Sequence, residues 1–155
     1  MSTQKNSIRV KSKNEYIIEV NDEGETISFD MTDFRLPAKL LNTYNNLDEL
    51  TKKYEQKNEE LAKREDKDIN EFVTQNQMDI IALTEQYYKD ARKVLDEFLG
   101  EGACQKIFGD KNYMEMFDDL IEQLTPHFNA MGLNFKKMQK GLVKKYTDKK
   151  SNVLK

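Results

Sequence analysis

A single histidine, His127, and a single cysteine, Cys104, limit the chemistry that these 155 residues can carry. A nucleophilic triad needs a base within hydrogen-bond reach of a Ser or Cys, and nothing in the sequence marks such a partner for His127. It follows Pro126 and adjoins Phe128 of an apolar stripe, so it reads as a structural residue at the edge of that face. Cys104 follows Gly102 in a short helical stretch, and a helix N-terminus can lower a thiol pKa. A free cysteine is more often a small buried apolar residue, here packing near Phe108, and that reading is favoured. One Cys excludes a disulfide framework, and one Cys with one His cannot supply the usual zinc ligands. Asp118 and Glu122 are an i,i+4 pair, as acid–base or metal work would use, but no His or further carboxylate falls in register with them. They read as the solvated face of a helix. Gly100-Glu101-Gly102 and Gly109-Asp110 lack the preceding strand and the following Lys-Ser/Thr of a phosphate cradle. The expectation is a non-enzyme, with no catalytic, metal-binding or cofactor-binding residue.

Charge is more informative in its distribution than in its total. Lys and Arg number 25 against 28 Asp and Glu, a net charge of -3, which argues against a general nucleic-acid binder. From Lys136 to Lys155, however, eight lysines face only Asp148, so this arm carries +7 and the rest of the chain -10. Such an arm binds an acidic partner, a nucleic acid or the body of its own protein, or else is simply solvated. Phe135 and Tyr146 are its only aromatics, too few for base stacking along a single strand. No stretch approaches the roughly 20 apolar residues of a bilayer span. Met1 to Lys13 has no apolar core of a secretory signal. Both point to a cytosolic protein without a membrane partner.

The elements that must position these residues follow from periodicity. With 37% apolar and 34% charged residues, the chain reads as one surface-rich, mainly α domain with a small N-terminal β-hairpin, an α+β class built from a helical hairpin and C-terminal helices. Residues 1–13 form a polar lead-in, 14–132 the domain and 133–155 a basic amphipathic arm. Tyr16 to Val20 and Glu25 to Phe29 are short β-prone runs around Asn21-Asp22-Glu23-Gly24, a four-residue hairpin loop. Two strands alone are marginal in water, so the hairpin must lie on helices or pair with another chain. Thr32 or Asp33 can cap a first long helix with Pro37 in its first turn. That helix carries Leu40, Tyr44, Leu47, Tyr54 and Leu61, and is almost wholly polar after Tyr54. After a break at Lys63 to Asp68, a second helix marks one face with Ile69, Phe72, Val73, Ile80, Leu83, Tyr87, Ala91, Val94 and Phe98, broadened by Ile81, Tyr88, Leu95 and Leu99. Gly100 and Gly102 end it. Ala103 to Gly109 gives one or two helical turns. A helix from Tyr113 to Met131 then carries Phe117, Leu120, Ile121, Leu124 and Phe128, with a kink expected at Pro126. A last amphipathic segment carries Phe135, Met138, Leu142, Val143 and Tyr146.

Two stretches also resemble a known family. One runs from Glu15 to Leu50: the hairpin, Phe29-Asp30-Met31-Thr32-Asp33, then Leu36-Pro37-Ala38-Lys39-Leu40-Leu41 before a long helix. The other runs from Phe98 through Gly100-Glu101-Gly102-Ala103-Cys104-Gln105-Lys106-Ile107-Phe108-Gly109-Asp110 into Met116-Phe117-Asp118-Asp119-Leu120-Ile121-Glu122-Gln123-Leu124-Thr125-Pro126. This order is similar to the tail assembly chaperones of long-tailed phages and prophages of Gram-positive bacteria. The resemblance implies a non-enzymatic protein of the infected cell's cytoplasm, absent from the finished virion. It would coat the helical tape measure protein, keep it soluble and help recruit tail tube protein. It further implies a longer form of the chain made by ribosomal frameshifting, for which Lys149-Lys150 is compatible with an A-rich slippery run. Self-association into a homo-oligomer fits the same picture.

A tape measure helix cannot bury its apolar face alone, so its partner should offer an apolar groove. The residues expected to face such a partner are Ile81, Tyr88, Phe117, Leu120, Leu124 and Phe128, with Lys137, Lys144 and Lys145 of the arm. The competing reading is that these stripes pack on one another as the core. A different function, a phage-encoded regulator or inhibitor of a host protein or nucleic-acid machine, would use the Lys-rich arm as its contact. An enzyme whose site forms only in an oligomer is the third reading.

Overall fold

The computed structural model describes residues 4–9 and 14–133, and the basic arm, with Lys137, Lys144 and Lys145, lies outside the described residues. Alternation of apolar and polar residues dictates the first element. Strands β1 (Glu15–Glu19) and β2 (Thr26–Asp30) pair antiparallel with Tyr16 opposite Phe29 and Ile18 opposite Ile27. Ile27 and Phe29 are buried, while Thr26 and Ser28 face solvent. Asn21 shapes the loop: its Oδ1 accepts from the amides of Glu23 and Glu25, and its Nδ2 donates to the Lys106 carbonyl at 3.0 Å. Gly24 takes the left-handed φ of 79° that the loop needs. Of the two ways to stabilise a hairpin, this chain uses its own helices: Phe29 sits 5.5 Å from Phe98 and 5.4 Å from Phe128, ring centre to ring centre.

Helices α1 (Leu36–Lys63) and α2 (Gln75–Leu99) form an antiparallel hairpin. Tyr54 meets Asp90, and further out along α1 Arg64 meets Asn76 at the start of α2. Asp33 accepts the Arg35 amide and pairs with Lys39 at 2.6 Å, so it braces the first turn although it is not the N-cap residue itself. These partners, Lys39 first, hold its carboxyl down at about 2. Beyond Tyr54 nearly every α1 side chain is in solvent, as the polar run required.

The second helix begins later than its periodicity suggested. Ile69, Phe72 and Val73 lie in the connecting loop, where an isolated bridge joins Asp68 to Thr74. Asn70 Oδ1 accepts from the Phe72 and Val73 amides, a local turn that competes with helix. Thr74 and Gln77 then form a reciprocal capping box that fixes the true start.

Helix α3 (Ala103–Phe108) follows the glycine-rich turn, and α4 (Met116–Ala130) runs unbroken through Pro126. It starts three residues later than expected because Tyr113, Met114 and Glu115 belong to the approach loop. Its end is a Schellman motif: the Leu133 amide donates to Phe128 and the Gly132 amide to Asn129, with Gly132 at φ 79°. The core gathers Ile27 and Phe29 from the hairpin, Leu36, Leu40 and Leu47 from α1, Ala91, Leu95 and Leu99 from α2, and Leu120, Ile121, Leu124 and Phe128 from α4. No described helix is long and apolar enough to cross a membrane.

Candidate functional site

The core occupies only one end of the helical hairpin. Where α1 and α2 run out beyond the cover of α4, an apolar groove of about 270 Å³ opens. Its walls are Leu47, Thr51 and Tyr54 of α1, Leu83, Tyr87 and Tyr88 of α2, and Phe117 and Ile121 of α4, with Tyr113 and Met114 on one lip.

A run of aromatic rings builds the wall. Tyr54 packs edge-on against Tyr87 (5.5 Å) and Tyr87 against Tyr88 (5.7 Å). Tyr88 reaches Phe117 (6.0 Å), Phe117 meets Phe108 (6.0 Å), and Phe108 meets Tyr113 (6.4 Å). Such tilted pairs are favourable because a ring's positive edge faces its neighbour's negative face. Two of the hydroxyls are hydrogen-bonded: Tyr87 shares a hydrogen bond with Thr51 at 3.2 Å, and Tyr54 donates to Asp90 at 2.6 Å. Burial, reinforced by the Asp90 carboxylate, pushes the Tyr54 phenol up to about 12. Tyr88 is also raised, first by burial and then by Tyr87. The wall is therefore uncharged across the physiological range.

The lip is held from beneath by Arg92. Its guanidinium donates to the carbonyls of Gly109 (2.8 Å) and Lys111 (2.7 Å) and to Asn112 Oδ1 (2.9 Å), and it stacks over the Phe108 ring. This fork converts residues 109–112 into a fixed loop that delivers Tyr113 and Met114 to the groove. Glu115 follows with φ 71°, the sole positive φ outside glycine among the described residues. Strained backbone of that kind concentrates at functional sites.

Electrostatically the groove is one-sided. Among the described residues, Asp48, Glu55, Glu115 and Asp118 line it and no Lys or Arg does. The neighbouring lysines are engaged, Lys52 with Asp48 at 3.0 Å and Lys53 and Lys57 over the Tyr54 ring. An apolar trough with a carboxylate rim suits a helix whose apolar face is flanked by Lys or Arg.

The residues expected to face a partner divide. Tyr88 and Phe117 line the groove, and Ile81 is 48% exposed on the outer part of α2. Leu120, Leu124 and Phe128 are instead core residues, Phe128 being only 1% exposed. The physical reason is that the β-hairpin and the end of α2 cover that stretch of α4, with Phe29 and Phe98 packed on Phe128, leaving only its first turns beside the groove. Leu47, Tyr54, Leu83 and Tyr87 were visible as stripe residues but not as groove walls. Tyr113 and Met114 fit the helical spacing of α4 in the sequence but lie in its approach loop, which is what brings them to the lip.

The candidate catalytic residues all have structural occupations. His127 Nδ1 is hydrogen-bonded to the Tyr16 hydroxyl at 2.9 Å and ties α4 to β1. Cys104 is buried, and desolvation followed by Asp96 pushes its thiol far above the ordinary range. The Asp96 carboxylate accepts the Cys104 amide at 2.8 Å, which explains the glycine-bounded segment as a helix–turn–helix joint. No group of His, Cys, Asp or Glu among the described residues is arranged to hold a metal ion.

Comparison with known proteins places this geometry in a family without an assigned role. A model described as a family of unknown function (DUF6673) matches residues 23–153, and the chain belongs to that family. No curated protein and no solved structure matches it.

Proposed function

We propose that this member of the DUF6673 family is a helix-binding assembly chaperone of phage tails: it receives the apolar face of the tape measure protein in its groove, keeps that protein soluble and presents it to tail tube subunits. The observation that carries the reading is the aromatic groove from Tyr54 to Tyr113, apolar along its walls and rimmed by carboxylates. Its shape suits the helix-in-groove mode, in which side chains at i, i+3, i+4 and i+7 of the partner enter an apolar trough. The sequence resemblance supplies the identity of that partner.

The test is co-expression with a tape measure protein from the same genome, followed by purification of the soluble fraction. The expected result is a tail protein insoluble alone and recovered in a stable complex with the chain. Replacement of Tyr88 by Asp, which puts a charge on the groove wall, should abolish the complex. Recovery of the tail protein in equal soluble yield without the chain, or an undiminished complex with Tyr88→Asp, would overturn the reading.

A further inference from the structure

We propose that the outer edge of β1 is a docking strip for an extended segment of another protein, one that carries Lys or Arg two residues to either side of a β-branched residue. The strip is separate from the groove, which no residue of β1 lines.

The parity of the hairpin creates the strip. The Val20 amide donates to the Glu25 carbonyl, and the Asn14 carbonyl accepts from the Met31 amide. In an antiparallel pair both backbone groups of a residue point to one side, and that side alternates along the strand. Tyr16 and Ile18 therefore turn their backbone groups toward β2, and Glu15, Ile17 and Glu19 turn theirs away from it. The two outer edges differ. On β2 the Thr26 carbonyl accepts from Lys106 Nζ at 3.2 Å, and the Asp30 carbonyl accepts from the Asp33 amide at 3.1 Å. On β1 the outward backbone groups have no hydrogen-bond partner among the described residues. Residues 4–9, which precede the strand, are exposed and in no strand themselves.

Burial shows the same gap. Ile27 and Phe29, on the inner face of β2, are buried, whereas Tyr16 and Ile18 on the inner face of β1 are only half-buried. The covered layer stops short at β1, and an added strand would extend it, with its own inner residues beside Tyr16 and Ile18.

The outer face selects the occupant. It presents Glu15, Ile17 and Glu19, with Ile17 60% exposed. Neither glutamate side chain has a hydrogen bond or ion pair among the described residues. Like charges directly opposite one another destabilise a strand pair. Two β1 edges paired antiparallel about Ile17 would set Glu15 against Glu19 twice, so a second copy is repelled. A segment with an apolar residue opposite Ile17 and a cation opposite each glutamate is attracted instead. Main-chain hydrogen bonds then supply affinity and alternate side chains supply selectivity. Charges commonly guard an open edge against pairing. Here the guard has one sign, so it turns away copies of itself and acidic segments and admits basic ones.

The test uses the full chain, isotope-labelled, and a capped peptide, Thr-Lys-Thr-Val-Thr-Lys-Thr, with hydrogen exchange read by NMR. At millimolar peptide the amides of Glu15, Ile17 and Glu19 should exchange at least about tenfold more slowly, and those of Tyr16 and Ile18, already bonded to β2, should change far less. The same peptide with Glu in place of Lys should leave exchange as it was. Joint replacement Glu15→Lys and Glu19→Lys, both at exposed positions, should reverse the preference between the two peptides. The same charge change at the exposed Glu59 and Glu60 of α1 should not. Equal protection by both peptides, a preference that survives reversal at Glu15 and Glu19, or no protection at all overturns the proposal. So does slow exchange of the three amides in the free chain: independent of concentration it assigns the edge to the chain's own residues, and rising with concentration it assigns it to a second copy.

Discussion

Arg92 shows how much one side chain decides here. Its fork holds two carbonyls and an amide oxygen of the loop that carries Tyr113 and Met114. Lysine has a single ammonium and cannot reproduce that planar geometry. Arg92→Lys is therefore expected to destabilise the protein by about 1–3 kcal/mol, the range for losing hydrogen bonds to a charged donor. Hydrogen exchange at residues 109–113 should rise more than in the core of α2, while an unchanged loop would refute the fork's role. The same scale separates groove from core. Phe128→Ala empties a fully buried site and is expected to cost about 3–5 kcal/mol. Ile81→Asp, on a half-exposed position, is expected to change stability by less than about 0.5 kcal/mol. Thermal unfolding of the two variants checks both. None of this was legible as residue identity: Phe128 and Tyr88 look alike in a helical stripe. Which one is covered depends on where the hairpin and α4 land, and that is a property of contacts far apart in sequence.

At the scale of elements, the hairpin, both long helices and the glycine-bounded joint could be read from alternation, helical steps and turn residues. The start of α2 could not be read from its apolar residues. Ile69, Phe72 and Val73 match helical spacing, yet hydrogen bonding to Asn70 wins locally. The better signal was Thr74 followed by Gln77, whose side chains satisfy each other's backbone donors. The hairpin tip is further locked by Asn76, buried at 7% exposure, which donates to the Leu61 and Arg64 carbonyls and accepts from Arg64. Asp66 accepts the Asn76 amide at 3.0 Å, and this bond, first among its partners, lowers the Asp66 carboxyl below its ordinary 3.8. Asp79 is lowered likewise by Arg64. A carboxyl lowered in the folded state stabilises it above the ordinary value and loses that contribution as pH falls through the lowered one. Protection of the Asn76 amide should thus be flat from neutrality to about pH 4 and fall below it. Asp66→Ala should remove both the protection and its pH dependence. A tip whose protection is equal at pH 7 and pH 3 would contradict the assignment.

For the whole molecule, the question is where the folded unit stops. The charge switch and Gly132 suggest a boundary after residue 132, and the packing shows that Leu133 also belongs to the core. Leu133 is 8% exposed, belongs to the core cluster, and its amide closes the last turn of α4 on Phe128. All buried side-chain polar atoms among the described residues are hydrogen-bonded. A chain of residues 1–133 should therefore unfold cooperatively. Residues 1–132 should be less stable by about 1.5–3 kcal/mol, the burial of one leucine, with the lost capping bond adding to it. Denaturant melts of the two chains measure the difference directly, and their slopes should agree because each exposes nearly the same surface. Loss of cooperativity in residues 1–133 would mean instead that the arm is part of the fold, and the groove part of its core.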